Sequence, residues 1–450
     1  MQHTVDMTIV RRAFLKSTAL VAGGLLAPKS AAADQAGLKG RKLRFACIGV
    51  GGLGGNFLRD KALSEETFVA FAEVDDTEGE TLYKLHPNVP RYKDYREMLV
   101  KHDKEIDGVI ISTPDHSHYH MCKYVMERGK HVYCQKPLTR TLWECRQLRE
   151  LARKNSHLIT QMGNQGHSLT TLRMGVEWLQ SGLIGDVTEV HMWTNRSGAG
   201  LKARPAPEAP PAELDWNLWL GSSPSIPYSK EYVRKQWRKW WDFGCGPLGD
   251  IGCHTMDLPH WALKLGAPVS VSAKITGSNQ FGAPSKATIT YDYAAREKMP
   301  PVKIFWYDGR NNNPPRPAAL EADRELAQEG GSYFVGTKGT LYAPGMRPTS
   351  VRLIPEAKMK EAVSAKLLPQ PWIPRIEGGH FQEWIDGIRS GKQPGSSFCG
   401  DATALTEMVL LGNLALQTGK PILWDSENLK ARGLPEADKF IKPEYREGWI

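Results

Sequence analysis

The chain has 450 residues, of which 41% are hydrophobic and 24% charged, an ordinary balance for a globular protein. Its formal charge of +9 comes without a run of basic residues, so the pattern typical of nucleic-acid binding is absent. Apart from an N-terminal stretch that is too short, no apolar run approaches the roughly 20 residues that span a bilayer, and we expect no stable membrane insertion. Because the chain is longer than a domain with a single hydrophobic core normally is, we expect two domains.

The first 33 residues have the pattern of an export signal. Arg11 and Arg12 precede a short apolar stretch that ends near a run of three alanines, a cleavage pattern. Paired arginines are typical of the twin-arginine route, although Val10 stands where that motif prefers Ser or Thr. We therefore expect residues 1–33 to be a signal peptide, the twin-arginine translocase to be a partner during export, and the mature protein to act in the periplasm.

Beyond the signal, apolar runs alternate with helical patterns as far as Met162. This β-α-β alternation predicts an α/β domain with a parallel sheet covered by helices on both faces. The predicted strands are Leu43–Ile48, Phe68–Val74, Ile106–Ser112, His131–Cys134 and Leu158–Met162. The predicted helices are Gly52–Lys61, Ser117–Arg128 and Thr141–Asn155.

After about residue 166 strands dominate, which predicts an α+β domain with a large, open and mostly antiparallel sheet. The predicted strands are Val187–Trp193, Val269–Ile275, Ala287–Tyr293, Val302–Tyr307 and Tyr333–Val335. The predicted helices are Thr170–Ser181, His380–Ser390 and Asp401–Gln417. We place the first domain at residues 41–165, the second at 166–430 and a C-terminal tail at 431–450.

A G-x-G-x-x-G motif formed by Gly49, Gly51 and Gly54 follows the first predicted strand and opens a helix. Asp75 ends the next strand, 21 residues after Gly54, which is the spacing of a dinucleotide-binding site. Glycines let the backbone approach a pyrophosphate, and the helix N-terminus favours its charge. Asp75 would accept hydrogen bonds from the ribose hydroxyls and repel a 2′-phosphate, so NAD is preferred to NADP.

Three further motifs accompany the glycine loop: Thr113-Pro114 with His118, then Gln135-Lys136-Pro137, then Asp250 with His254 four residues later. Together they resemble the Gfo/Idh/MocA oxidoreductase superfamily, in particular exported, sugar-acting members such as glucose–fructose oxidoreductase. The resemblance implies a Rossmann domain followed by a larger substrate-binding, catalytic α/β domain. It also implies that the cofactor is bound by residues of the first two motifs, namely Thr113, Pro114, His118, Gln135 and Lys136.

The catalytic candidates are Lys136, His254 and Asp250, which would also contact the substrate. Lys136 follows a parallel strand at the edge where open α/β sheets bind ligands, and a cationic nicotinamide ring nearby would disfavour its ammonium form. It could then accept the hydroxyl proton of a sugar, with His254 taking or sharing that proton. Gln135 replaces the family's Glu, and losing that carboxylate should let Lys136 deprotonate more readily.

Several aromatic, cysteine and histidine residues remain. Five tryptophans crowd together, and Trp241 among them is a candidate for stacking on a sugar, although core packing fits the cluster as well. The seven cysteines show no C-x-x-C spacing and are interpreted as small buried hydrophobes. No H-E-x-x-H pattern accompanies the histidines, and we predict no metal. The clustered tryptophans are Trp216, Trp219, Trp237, Trp240 and Trp241.

These features favour an NAD-dependent oxidoreductase of a sugar, glycoside or related polyol. An exported enzyme without access to free NAD must keep its nucleotide, so the cofactor should be tightly bound. We expect a homo-oligomer, a dimer or tetramer. Two alternatives remain: an NAD-dependent glycosidase acting by transient oxidation and elimination, and a non-catalytic sugar-binding protein with a structural nucleotide.

Overall fold

The computed structural model describes residues 40–449, so the predicted signal peptide lies outside the described residues. The first domain contains a six-stranded, wholly parallel sheet. Its strands are β1 (Arg44–Ile48), β2 (Thr67–Ala72), β3 (Arg91–Tyr92), β4 (Gly108–Ile111), β5 (His131–Cys134) and β6 (Thr160–Met162). Their order is β3-β2-β1-β4-β5-β6, which confirms the predicted Rossmann architecture.

Six helices connect these strands. They are α1 (Gly52–Phe57), α2 (Lys61–Ser64), α3 (Asp76–Leu85), α4 (Tyr95–Lys101), α5 (Asp115–Glu127) and α6 (Leu142–Lys154). The prediction of one continuous helix over Gly52–Lys61 is wrong. The Asp60 carboxylate accepts a hydrogen bond from the Ala62 N–H at 2.9 Å and caps a new helix there.

The second domain contains a nine-stranded sheet whose neighbours are antiparallel except for one central parallel pair. Its strands are β7 (Val187–Thr194), β8 (Ser270–Thr276), β9 (Lys286–Tyr293), β10 (Val302–Asp308), β11 (Gly330–Gly336), β12 (Thr340–Pro344), β13 (Arg352–Ile354), β14 (Ile422–Asp425) and β15 (Lys430–Ala431). The order is β13-β12-β11-β7-β10-β9-β8-β14-β15, with β7 and β10 parallel. The predicted open, mostly antiparallel sheet is confirmed, and the sequence missed β12 to β15.

The remaining helices pack on this sheet or return to the first domain. They are α7 (Thr170–Gln180), α8 (Trp216–Leu220), α9 (Cys253–Thr255), α10 (Asp257–Ala262), α11 (Glu356–Ser364), α12 (Gly379–Ser390), α13 (Asp401–Thr418) and α14 (Asp438–Ile441). A π-helical turn, Leu248–Gly252, runs directly into α9. Across residues 40–449, no helix combines the length and apolarity that crossing a bilayer requires.

Helix α12 covers one face of the parallel sheet, although it lies more than 200 residues beyond it in sequence. Trp384 stacks on Phe45 with ring centroids 4.9 Å apart, and Phe381 stacks on Tyr133 at 4.2 Å. The C-terminal segment also returns to the first domain, where the Trp449 ring lies under the Arg96 guanidinium. The two domains are therefore held together by segments that follow β13 in the chain.

Candidate active site

A cavity of about 460 Å³ opens where β1, β2, β4 and β5 end, and residues of the second domain close its far side. The carboxyl edge of a doubly wound sheet is the usual ligand-binding edge. Eight of the nine predicted cofactor-binding residues line this cavity. They are Gly49, Gly51, Gly54, Asp75, Thr113, Pro114, Gln135 and Lys136.

The glycine loop leaves no room for side chains. Gly49 has φ +77°, and a Cβ there would lie 2.8 Å from the Ser112 backbone. A Cβ on Gly54 would lie 2.3 Å from the Gly49 carbonyl oxygen, so the loop and the first turn of α1 pack backbone on backbone. The loop therefore presents main-chain surface to the cavity, as a dinucleotide pyrophosphate requires.

Glu73 is a functional candidate that the sequence reasoning missed. Strand β2 ends at Ala72, and the Glu73 carboxylate accepts hydrogen bonds from the N–H groups of Val50 and Gly51, both at 3.0 Å. Burial raises the pKa of Glu73 to about 7, partly offset by the backbone hydrogen bonds that it accepts. This carboxylate therefore lies between the glycine loop and the end of β2, where a ribose would bind.

Asp75 has a structural task besides the ribose contact that the sequence predicts for it. Its carboxylate caps α3 by accepting hydrogen bonds from the Thr77 N–H at 3.0 Å and the Thr77 hydroxyl at 2.6 Å. It still lines the cavity, two residues beyond Glu73. The spacing rule located the correct end of β2. Of the two carboxylates there, Glu73 is the better placed to bind a ribose.

His118 does not line the cavity, which corrects its placement as a cofactor contact. The ring is fully buried, with its nitrogens 2.8 Å from the Pro137 carbonyl oxygen and 3.0 Å from that of Thr113. Burial lowers the pKa of His118 to about 4, so the imidazole is neutral at pH 7. His118 therefore lies between the ends of β4 and β5, and its single N–H donates to one of these two carbonyl oxygens.

Lys136 and Asp250 meet across the two domains. The Lys136 ammonium donates to the Asp250 main-chain oxygen at 2.7 Å and to its carboxylate at 2.8 Å. Burial opposes ionisation of Asp250, but the charges of Lys136 and Arg238 outweigh it and hold the pKa of Asp250 well below its usual value. Asp250 thus supplies a carboxylate beside Lys136, where Gln135 replaces the family's Glu.

His254 lies one turn after Asp250, in α9, is 3% exposed and does not line the cavity. Burial, reinforced by the positive charges of Lys136 and Arg347, lowers the pKa of His254 well below its usual value. Its Nδ1 atom is buried and has no hydrogen-bond partner within the described chain. The ring is therefore a neutral imidazole with free hydrogen-bonding capacity.

Asp115 is a second acidic residue that the sequence analysis passed over. It opens α5, lines the cavity and accepts a hydrogen bond from the Cys245 N–H at 3.0 Å. Burial raises the pKa of Asp115 to about 7, against the opposing charges of Arg238 and Lys136. Its position directly after the Thr113-Pro114 motif is the sequence feature that could have identified Asp115 as a site residue.

The tryptophan cluster divides between cavity and core. Trp219 and Trp237 line the cavity, and the cluster packs with Tyr232 and Phe243. Trp241 does not line this cavity, and its indole N–H donates to the Asn279 carbonyl oxygen at 3.0 Å, so its predicted sugar contact is not supported. The seven cysteines are free thiols, six of them buried, in line with the sequence interpretation.

Residues 213–240, which we call the strap, cross the adenosine end of the cavity. The Asp215 N–H donates to the Val74 carbonyl oxygen at 2.9 Å, directly beside Asp75. At the other end Arg234 pairs with Glu78 of α3 at 3.4 Å. The strap therefore joins the second domain to the segment that follows β2, and it covers the cavity between these two contacts.

The residues present fit a dinucleotide. The glycine loop offers main-chain surface, Glu73 offers a carboxylate at the ribose end, and the cavity reaches Lys136 at the other end. Within residues 40–449, no three His, Cys, Asp or Glu side chains converge in a way that would hold a metal ion. The fold and site together define a two-domain, dinucleotide-dependent oxidoreductase.

Two family models match the chain. The NAD-binding Rossmann domain of an oxidoreductase family matches residues 43–163, and the C-terminal alpha/beta domain of the same family matches residues 181–300. Together they cover more than half of the sequence. The chain belongs to the Gfo/Idh/MocA family of oxidoreductases, and it is an enzyme of the NAD-binding Rossmann type.

Curated relatives share parts of the chain. Inositol 2-dehydrogenase of Salmonella typhimurium is 27% identical over 124 residues, 27% of this chain and 36% of the relative. A glycosyl hydrolase family 109 protein of Solibacter usitatus is 28% identical over 196 residues, 40% of this chain and 44% of the relative. The chain therefore spans about two fifths of the length of these curated relatives.

The fold itself matches solved structures over most of the chain. The WlbA dehydrogenase from Chromobacterium violaceum, solved with NADH and UDP-GlcNAcA, superimposes with a TM-score of 0.60 at 17% identity. The match covers 86% of this chain and 97% of the WlbA chain. At this identity the likeness establishes the shared architecture of the two domains.

Glu73 should make NAD binding depend on pH. Its pKa near 7 means that the carboxylate is protonated as the pH falls below 7, which removes an acceptor for ribose hydroxyls. We expect the Kd for NAD, measured by titration, to be about tenfold weaker at pH 6 than at pH 8. Glu73→Gln should abolish this difference. If Asp75→Asn abolishes it while Glu73→Gln leaves it intact, the ribose contact belongs to Asp75.

Proposed function

We propose that the protein oxidises a hydroxyl group of a sugar, glycoside or related polyol, with NAD as the hydride acceptor. The observation that carries this proposal is the contact between Lys136 and Asp250 at one end of the glycine-loop cavity, with His254 buried one turn after Asp250. Alcohol oxidation needs a donor for the hydroxyl oxygen and an acceptor for its proton, and these side chains supply both. Similarity to inositol 2-dehydrogenase supports a polyhydroxylated substrate.

The roles follow from the charges of the three groups. Lys136, an ammonium held by Asp250, donates a hydrogen bond to the substrate oxygen and aligns the hydroxyl group. Neutral His254 accepts the hydroxyl proton as the C–O bond becomes a carbonyl, which requires its low pKa to rise once the substrate is bound. Bound NAD would supply the acceptor for the hydride that leaves the same carbon. His254 thus takes the proton-accepting role that the sequence favoured for Lys136.

Removing either group should stop the chemistry without removing the nucleotide. Lys136→Met and His254→Ala should each lower turnover by about a hundredfold or more, the usual scale of acid–base catalysis. Asp250→Asn should lose less, because it disturbs only the orientation of Lys136. Turnover is measured by mass spectrometry as a loss of two hydrogens from a panel of sugars and glycosides.

The control for these variants is Lys274→Met, which removes an exposed lysine of β8. It should keep full activity. Wild-type turnover in Lys136→Met or in His254→Ala would remove that residue from the mechanism.

We further propose that the cofactor is NAD and that it is held tightly. Glu73, fixed by the N–H groups of the glycine loop, places negative charge where the 2′-phosphate of NADP would lie. The strap lies across the same end of the cavity and must move before a nucleotide can leave. Both features favour a nucleotide that stays with the protein through many turnovers.

A retained cofactor must be reoxidised in place, so two substrates should show ping-pong kinetics and added NAD should not raise the steady rate. Arg234→Ala, which breaks the contact between strap and α3, should accelerate nucleotide release during dialysis. Lys230→Ala, which removes an exposed charge of the same segment, should not. Ready loss of nucleotide from the wild type, with activity proportional to added NAD, would describe an ordinary dissociable cofactor.

We also propose export by the twin-arginine route, on the strength of Arg11 and Arg12 before the apolar stretch. That route carries folded proteins, which suits a nucleotide loaded before export. Replacing both arginines by lysine should leave the precursor in the cytoplasm, as judged by fractionation, whereas Lys16→Arg should not affect export. Normal periplasmic accumulation of the double variant would favour the general secretory route.

The second candidate function is an NAD-dependent glycosidase, favoured by the similarity to a glycosyl hydrolase family 109 protein. Oxidation of a ring hydroxyl acidifies the neighbouring C–H bond and permits elimination of the aglycone. The same residues serve both reactions up to the carbonyl stage. Product analysis separates the two: a keto-sugar with its glycosidic bond intact supports the first function, and a released aglycone supports the second.

A further inference from the structure

A second cavity, of about 490 Å³, lies next to the nucleotide cavity, and the Phe57 ring lines both. Its walls come from the α1–α2 region, the turn Gln165–Ser168 and the start of α12. Its volume lies in the range of small-molecule sites. Apolar side chains such as Leu169 and Phe381 share its lining with polar ones, which suits a ligand that has both C–H faces and charged or hydroxyl groups.

Arg347 lines this cavity without a partner. It is half-buried, and its Nε atom is buried with no hydrogen bond. No Asp or Glu carboxylate of the described chain forms an ion pair with it, whereas Arg173 in neighbouring α7 pairs with Glu383 at 2.8 Å. Burial lowers the pKa of Arg347, in line with a guanidinium group that has no carboxylate partner.

The other charged residues around the cavity leave an excess of positive charge. Arg59 also lines it, is exposed and forms no ion pair within residues 40–449. Asp60, the acidic residue of the lining, is committed to capping α2. His380 is kept neutral, because burial lowers its pKa to about 4. The lining therefore carries two arginines against one carboxylate, a net positive charge that attracts anions.

Arg347 also lies beside the catalytic turn, by which we mean the segment that contains Asp250 and His254. The Thr255 hydroxyl, next to His254, donates to the Met346 carbonyl oxygen at 3.4 Å. The Cγ of Arg347 packs 3.5 Å from the position that a Cβ would take on Gly166. The Arg347 charge contributes to the low pKa of His254, after burial and Lys136. The segment that carries Arg347 therefore packs against the segment that carries His254.

We infer that Arg347 binds an anionic group of the substrate, so that the enzyme acts on acidic sugars, those carrying a carboxylate or a phosphate. A guanidinium group pairs with either anion through two parallel hydrogen bonds. The inference rests on the proposed function and narrows its substrate class. The charged group is a handle remote from the reacting carbon, so it contributes to binding rather than to the chemical step.

The test uses the purified enzyme with its bound nucleotide. The probes are D-glucuronate and D-glucose 6-phosphate against neutral D-glucose, and D-galacturonate against D-galactose. We expect a KM at least about tenfold lower for an anionic probe than for its neutral counterpart, the scale of one charge-assisted hydrogen bond. The uronates and the phosphate separately report which anion the site takes.

Arg347→Met should raise the KM for the anionic probe about 10- to 100-fold, with a smaller change in kcat and no change for the neutral sugars. Arg310→Met, which removes another exposed arginine, controls for net charge and should have no effect. If Arg347→Met does not fold, Arg347→Gln retains polarity and removes the charge. Binding of the probes is also followed as thermal stabilisation, which requires no turnover.

Equal KM values for the wild type and Arg347→Met with anionic probes would overturn the inference. Oxidation of neutral sugars alone, with no binding of the anionic probes, would also overturn it and leave the proposed oxidation standing. Conversely, thermal stabilisation by an anionic probe that depends on Arg347, with no sugar oxidised, would support the anion site and contradict the proposed function.

Discussion

The ion pair between Lys136 and Asp250 is the constraint on which the site depends. Lys136 belongs to the end of β5 and Asp250 to the second domain, so their contact fixes the two halves of the site relative to each other. The π-helical turn that contains Asp250 leaves its main-chain oxygen free to accept from Lys136. One lysine is thus held by two oxygens of one residue, and it also lines the cavity.

A second polar contact fixes the same junction between the two domains. Asp257, one turn after His254, accepts hydrogen bonds from Asn164 and His167, both at 2.9 Å. These two residues belong to the segment that leaves β6 for the second domain. Breaking such a buried, hydrogen-bonded pair typically costs about 3–5 kcal/mol, because the partners are left without compensation. The contacts of Asp257 therefore hold the catalytic turn in place as much as the contacts of the catalytic residues themselves.

Features that depend on a local sequence pattern were predicted correctly. Strand β5 was located to the residue because an apolar run there ends at a polar motif, and the glycine loop was located by its spacing. The choice between Glu73 and Asp75 depends on where β2 stops, and two carboxylates two residues apart satisfy the same spacing rule. The strap and the packing of α12 on β1 are contacts between distant segments, which no local pattern encodes. Strand β13, three residues long, is too short for its periodicity to be distinguished.

The strap also sets an order of assembly. A chain synthesised from its N-terminus completes β1 to β6, and with them the glycine loop, before residues 213–240 have emerged. At that stage the nucleotide-binding edge of the sheet is open on the side that the strap later covers. A dinucleotide that enters then becomes enclosed as Arg234 reaches Glu78 and Asp215 reaches Val74. If the nucleotide is retained as proposed, its capture is a step of folding that is completed when residues 213–240 close over the first domain.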